Sequence, residues 1–257
     1  MKIYKYIYGP VNSWRLGSSL GIDALSQRHK VCTFDCVYCQ VGRFNPIALK
    51  RRVCVLTKDI IAEIKSLPEI RLDYITFSGR GEPTLAKNLG TLIRSIKRIR
   101  KEKIAVITNA TLLGRKDVQQ ELSDVDLVEV KLDAPSDIIL SKVNRPVESL
   151  NFNKLIKGIR SFKRQYKGEM ILQVMFLKSN IGFAKAIADI ARSIKPDQVH
   201  INTPLRPSGV KPVSKKDING IKPYFKGLRF TTVYDTKKRK KIKSISRKDT
   251  LLRRGKI

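Results

Sequence analysis

The sequence is 257 residues long and 42% hydrophobic, enough to bury a full core and typical of a single α/β barrel. Lysine and arginine number 53 against 22 acidic residues, and the formal charge of +31 implies a polyanionic partner without saying which, unless it is only the solvated surface of a lysine-rich protein. Four cysteines are too few for a disulfide scaffold, no run approaches the roughly eighteen apolar residues of a membrane span, and residues 1–10 hold tyrosines and lysines where a signal peptide needs an apolar run, so a cytoplasmic protein without membrane association is expected.

In chain order, a strand ending near residue 31 is expected ahead of a cysteine-rich loop, followed by a helix over 58–66. Short apolar runs at 74–77, 104–107, 127–132, 170–176 and 198–201 then alternate with segments of helical period. Leu89, Leu92, Ile93, Ile96 and Ile99 form one apolar stripe, with Lys97, Arg98, Arg100 and Lys101 largely opposite. The stripes from Phe152 to Phe162 and from Phe183 to Ile194 read the same way, as core faces. After residue 207 come a helix around 214–224, a strand over 228–234, and a tail in which residues 236–257 hold eleven Lys or Arg against Asp249 alone. Six β/α units are too few for a closed barrel, so the expected fold is α/β, a partial (β/α)6 TIM-like barrel. Its division is an N-terminal segment, 1–23, packed on a core of 24–207, with a C-terminal extension over 208–257.

Cys32, Cys36 and Cys39 gather three thiolates on one short loop. A cubane held by three protein thiolates keeps one iron open to substrate or cofactor. A structural zinc is the alternative, with His29 or Cys54 as fourth ligand, although such sites usually pair their cysteines as two knuckles. In Ser78-Gly79-Arg80-Gly81-Glu82, two glycines let backbone approach a ligand and a carboxylate can pair with an ammonium. Other strand ends are also polar: Thr108 and Asn109, Lys131 and Asp133, Asn202 and Thr203, each of which could equally be a turn former. Arg206 is placed for a phosphate, and His200 reads as a satisfied core residue facing a helix.

At the cysteines the chain resembles the radical S-adenosylmethionine (SAM) superfamily. The motifs Tyr8-Gly-Pro, Arg15-Leu-Gly-Ser-Ser-Leu-Gly-Ile-Asp23, Cys39-Gln-Val-Gly42 and Ser78-Gly-Arg-Gly-Glu-Pro-Thr-Leu85 resemble the branch that includes the wyosine-forming tRNA enzymes, with Asn12 and Trp14 standing where proline and arginine are usual. The resemblance covers residues 8–207. It implies a [4Fe-4S] cluster on Cys32, Cys36 and Cys39, with the open iron chelated by the methionine end of SAM. An external donor would supply one electron, and a 5′-deoxyadenosyl radical would then take a hydrogen from the substrate. It implies that Glu82 holds the methionine amino group, that Tyr38 lies beside the adenine, and that Gly79, Gly81, Thr108, Asn109, Lys131, Asp133, Asn202 and Thr203 surround the cofactor.

Wyosine formation in that branch uses a second cluster on three further cysteines, and outside the triad only Cys54 remains. A different radical modification of a nucleoside in RNA, tRNA first, is therefore expected. Arg15, Arg206 and the tail residues Lys237, Lys238, Arg239, Lys240, Lys241, Arg253 and Arg254 are the candidate substrate or RNA contacts, and no stable protein partner is indicated. Cys54 is a candidate catalytic thiol, although in the apolar stretch 53–56 it also reads as a buried hydrophobe. The competing functions are a radical activase or modifier of a protein, and a zinc-stabilised RNA-binding module without catalysis.

Overall fold

The structure is a computed structural model that describes residues 4–27, 29–42, 50–236, 242–246, 248 and 250–251. One eight-stranded sheet runs through it in sequential order, comprising β1 (Ile7–Ser13), β2 (Gly17–Ile22), β3 (Tyr74–Phe77), β4 (Lys103–Thr108), β5 (Leu127–Lys131), β6 (Glu169–Met175), β7 (Gln198–Asn202) and β8 (Phe230–Thr232). β1 is antiparallel to β2, and every later pair is parallel. The helices are α1 (Thr57–Lys65), α2 (Leu89–Lys97), α3 (Lys116–Leu122), α4 (Asp137–Val143), α5 (Phe152–Gln165), α6 (Ala184–Ile194) and α7 (Lys215–Ile221). Six crossovers join seven parallel strands, and the sheet curls into the expected half-barrel. Among the described residues no helix is long and apolar enough to cross a membrane.

The stripes of α2, α5 and α6 are buried within the helices, whereas Ile99 and Phe183, expected on the same faces, lie just outside α2 and α6 and are exposed; β8 falls within the expected 228–234. The first parallel strand does not. It is β2, not a segment ending at residue 31, and Val31 forms only an isolated bridge to Gly81. Ala24 and Leu25, between β2 and the cysteine loop, are buried in an irregular segment. β2 itself reads Gly-Ser-Ser-Leu-Gly-Ile, a composition of low strand propensity, because a large neighbour needs room: a Cβ on Gly21 would meet the Tyr8 ring at 2.1 Å. The sheet thus runs across both expected domain boundaries, with β1 and β2 before residue 24 and β8 after 207. Beyond β1 the sheet is edged by a distant segment, in which Ile245 N–H and the Ser244 hydroxyl donate to Gly9 O at 2.6 and 2.7 Å, and Gly9 N–H donates to Thr250 Oγ1 at 3.0 Å.

Inward-facing side chains alternate along each strand and stack in layers. The lowest layer is apolar, built from Leu16, Ala105, Leu127 and Ile171 with Tyr74 and Ile107 against them. Above it the layer turns polar, with Ser19 and Thr76 sharing a buried 2.7 Å hydrogen bond, then Glu129, Gln173 and His200. The upper ends carry the loops that build the site.

The closest of the loop contacts is at Gly81, where a Cβ would stand 1.8 Å from Val31 O. Gly81→Ala is therefore expected to push the cysteine loop off the sheet and to cost about 3 kcal/mol. Urea unfolding checks this, and a midpoint equal to wild type would refute it.

Candidate active site

The cysteine loop is clamped by backbone on two sides. On one, Val31 N–H donates to Arg80 O at 3.0 Å and Glu82 N–H to Val31 O at 2.9 Å. On the other, Asp35 N–H donates to Arg145 O, Val37 N–H to Val143 O, and Val147 N–H to Thr33 O, all at 3.0–3.1 Å. The loop after β3 and the segment following α4 thus hold the triad in place.

Each thiol of the triad faces a side-chain nitrogen donor. Asn109 Nδ2 lies 3.6 Å from Cys32 Sγ, Asn144 Nδ2 3.4 Å from Cys36 Sγ, and Lys30 Nζ 3.8 Å from Cys39 Sγ. Burial pushes the Cys32 thiol up to about 12 and Cys36 up to about 11, so a cation is needed before both ionise near neutrality. Three thiols on one loop, each facing an N–H group that a thiolate would accept, suit a cubane, which takes each thiolate at a different corner. The donor set fits the cluster.

Two buried carboxylates brace the loop. Glu82 Oε1 accepts from Thr84 N (3.1 Å), Thr84 Oγ1 (2.6 Å) and Thr108 Oγ1 (2.7 Å), and its Oε2 accepts from Asn109 N (2.6 Å). Burial raises its pKa against the pull of these donors. Oε2 takes one donor here, which leaves it a further lone pair for an ammonium. Asp133 Oδ2 accepts from the Tyr38 hydroxyl and from Asn144 Nδ2 (2.7 Å), and Oδ1 accepts from Met175 N (2.8 Å). Lys131 Nζ sits 4.7 Å above the Tyr38 ring and donates to Gln173 Oε1 at 3.1 Å. Tyr38, inside the cysteine loop, is thereby tied to the end of β5.

A cavity of about 460 Å³ opens beside this loop, within the range of small-molecule sites. Of the sequence-predicted residues, Arg15, Tyr38, Cys39, Gly79, Lys131, Asn202, Thr203 and Arg206 line it, Arg206 with Nη1 3.4 Å from Gln40 Oε1. Gly81, Glu82, Thr108, Asn109 and Asp133 are not part of the lining and hold the loops beside it.

Two expectations need correction. Cys54 does not line the cavity; it packs against the hydrophobic core, and its carbonyl accepts from Gln27 Nε2 at 2.9 Å, as suits a small hydrophobe. His200 faces the interior, not a helix, because strand alternation puts it on the face of Asn202; its ring lies 5.0 Å from that of Trp14, and Nδ1 has no hydrogen-bond partner among the described residues. Arg15, a candidate substrate contact, turns inward from the β1–β2 turn to pair with Glu129. The tail residues Lys237, Lys238, Arg239, Lys240, Lys241, Arg253 and Arg254 lie outside the described residues. Sequence reasoning missed Lys30 and Asn144, which no motif marks. It also missed Glu129, which the alternation of β5 places on the face of Lys131.

A three-cysteine loop on a half-barrel, above a cavity at the strand ends, defines an enzyme of radical SAM type. Residues 27–189 match the Radical SAM superfamily. The chain is 39% identical to a UPF0026 protein of Synechocystis over 82% of its own length and 78% of that protein's. It is 23% identical to a probable GTP 3′,8-cyclase of Saccharolobus solfataricus over 77% of this chain and 62% of that one. The fold is similar to that of Streptococcus suis SuiB bound to S-adenosylmethionine, with a TM-score of 0.61 at 16% identity over 79% of this chain and about half (48%) of SuiB. The chain belongs to the radical SAM superfamily and is a radical SAM enzyme, a family that implies a [4Fe-4S] cluster and SAM. That membership displaces the non-catalytic zinc module.

Burial lowers the His200 pKa from 6.5 to about 4, so the folded protein holds it neutral and the unfolded chain binds its proton more tightly. Its contribution to stability is intact above pH 6.5 and is lost as pH falls toward 4, by at most about 3 kcal/mol. Urea midpoints across this window should fall more steeply for wild type than for His200→Gln. Parallel curves would contradict it.

Proposed function

We propose that Cys32, Cys36 and Cys39 hold the cluster, that SAM lies in the cavity against Tyr38, Gly79, Lys131, Asn202 and Thr203, and that the substrate is a nucleoside in RNA, tRNA first. When bound, cluster and SAM supply one-electron reductive cleavage to a 5′-deoxyadenosyl radical, the electron coming from an external donor. The chain's own residues orient and shield. Asn109, Asn144 and Lys30 direct N–H groups at the three sulfurs, an arrangement that tunes cluster potential. Glu82, buried outside the cavity lining beside the cysteine loop, has an Oε2 lone pair that would take the methionine ammonium, and Arg206 in the lining offers a guanidinium to phosphate.

The observation that carries the RNA reading is the charge of +31, which an enzyme acting on a protein does not need. A probable GTP 3′,8-cyclase among the relatives, named for a nucleotide, agrees in substrate chemistry. The relatives' names do not extend to wyosine formation, and the cysteine count argues against the second cluster of that chemistry.

Anaerobic reconstitution should give about four irons and four sulfides per chain, and Cys32→Ala, Cys36→Ala or Cys39→Ala should each lose most of the iron. Retention of full iron in any of them would remove the cluster assignment. Nucleoside mass spectrometry of RNA from cells with and without the gene should show one modification missing, and bulk tRNA binding should weaken steeply with added salt. An unchanged nucleoside profile, with salt-insensitive association with a partner protein, would overturn the RNA reading in favour of a protein modifier.

A further inference from the structure

Below the predicted cofactor positions the cavity descends to polar groups where a barrel usually stacks Val, Ile and Leu. The β1–β2 turn inserts Trp14 and Arg15 there, and Ser13 Oγ accepts from Arg15 N and Leu16 N at 3.2 and 3.1 Å to fix the turn. Arg15 pairs with Glu129, which is fully buried, and Trp14 packs beside His200, which is 4% exposed. Glu129 and His200 share their strand faces with Lys131 and Asn202, both cavity-lining, so their side chains point inward; they are not themselves part of the lining but lie buried against Arg15 and Trp14, which are.

Three buried atoms of this cluster have no hydrogen-bond partner among the described residues: Arg15 Nε, Glu129 Oε2 and His200 Nδ1. Each such atom costs about 1–3 kcal/mol in a purely structural core, and an ion pair this deep stabilises less than an apolar filling would. Together they specify a guest. An anion is repelled by Glu129 and a cation by Arg15, while an aliphatic group leaves all three atoms unpaired. What satisfies them is a neutral, flat group that offers an N–H to Glu129 and accepts from Arg15, with the Trp14 indole available for stacking.

We infer that Trp14 and Arg15 at the floor of the cavity, with Glu129 and His200 buried directly behind them, form the recognition site for an uncharged nucleobase turned out of its stack. This rests on the proposed nucleoside substrate and adds which edge of the base is read: one presenting a donor beside an acceptor.

Trp14 is the chain's single tryptophan, so its fluorescence reports on this floor alone. The experiment titrates the anaerobic, reconstituted full chain with adenosine, guanosine, cytidine and uridine, using ribose 5-phosphate and a glutamine-containing peptide as controls. At least one nucleoside should give a saturable change that the sugar phosphate does not, and Glu129→Gln should weaken it by at least about tenfold. His200→Gln, read alongside with circular dichroism as a folding check, should weaken it as well. The inference is overturned if no nucleoside moves the wild-type signal, or if only the peptide does. The two readings fail separately: a missing RNA modification with a silent Trp14 sinks this site and spares the RNA substrate. A nucleoside response with an unchanged RNA profile sinks the RNA substrate and keeps a site for a free nucleoside.

Discussion

The structure depends on main-chain hydrogen bonding between the cysteine loop and the loop after β3. Val31 and Gly81 meet as two adjacent backbones, with no room for a side chain between them. That contact fixes the height of three thiols above the sheet. From the opposite side the segment 143–147 repeats the arrangement, so the loop is stretched between the third strand and the fourth helix. Side chains then refine a position that backbone has set. Glu82 is the joint of this assembly, because its two oxygens collect donors from its own turn and from the end of β4. Moving β4 relative to β3 would break them together.

A second constraint is the unequal treatment of polar groups in the interior. Around the cysteines the side-chain amides are held through their N–H groups: Asn109 by Thr33 at 2.8 Å, Asn144 by Asp133 and Tyr38, Asn180 by Asp133 O at 2.8 Å, with Asn144 Oδ1 left without a partner among the described residues. Pairing of this kind stiffens a low-dielectric network, as a site that must hold reactive groups in register requires. At the floor, among the described residues, three unpaired atoms gather within one ion pair and its aromatic neighbours.

Much of this was legible in the sequence because the signals were local. The triad spacing, the Gly-Arg-Gly-Glu turn and the apolar stripes of α2, α5 and α6 are short-range patterns, and the polar strand ends follow from where strands stop. The half-barrel followed from counting units. What was not legible is long-range. Asn144 reaches Cys36 from more than a hundred residues away, and Lys30 looks like an ordinary lysine until the loop closes over it. β2 was missed because its small residues are dictated by the Tyr8 ring, a neighbour known only once the hairpin forms. The motif residue Arg15 was identified as a substrate contact, but its partner Glu129 was not, since nothing local links the β1–β2 turn to β5.

The strand at the start of the chain is completed by residues made far later. Gly9 receives Ser244 across a sequence separation of 235 residues, and Thr250 takes its N–H across 241. During synthesis the outer edge of β1 therefore waits, open to other extended chains, while every crossover of the barrel is assembled behind it. For a cell making this enzyme, that interval is the time in which a nascent polypeptide most needs protection from aggregation.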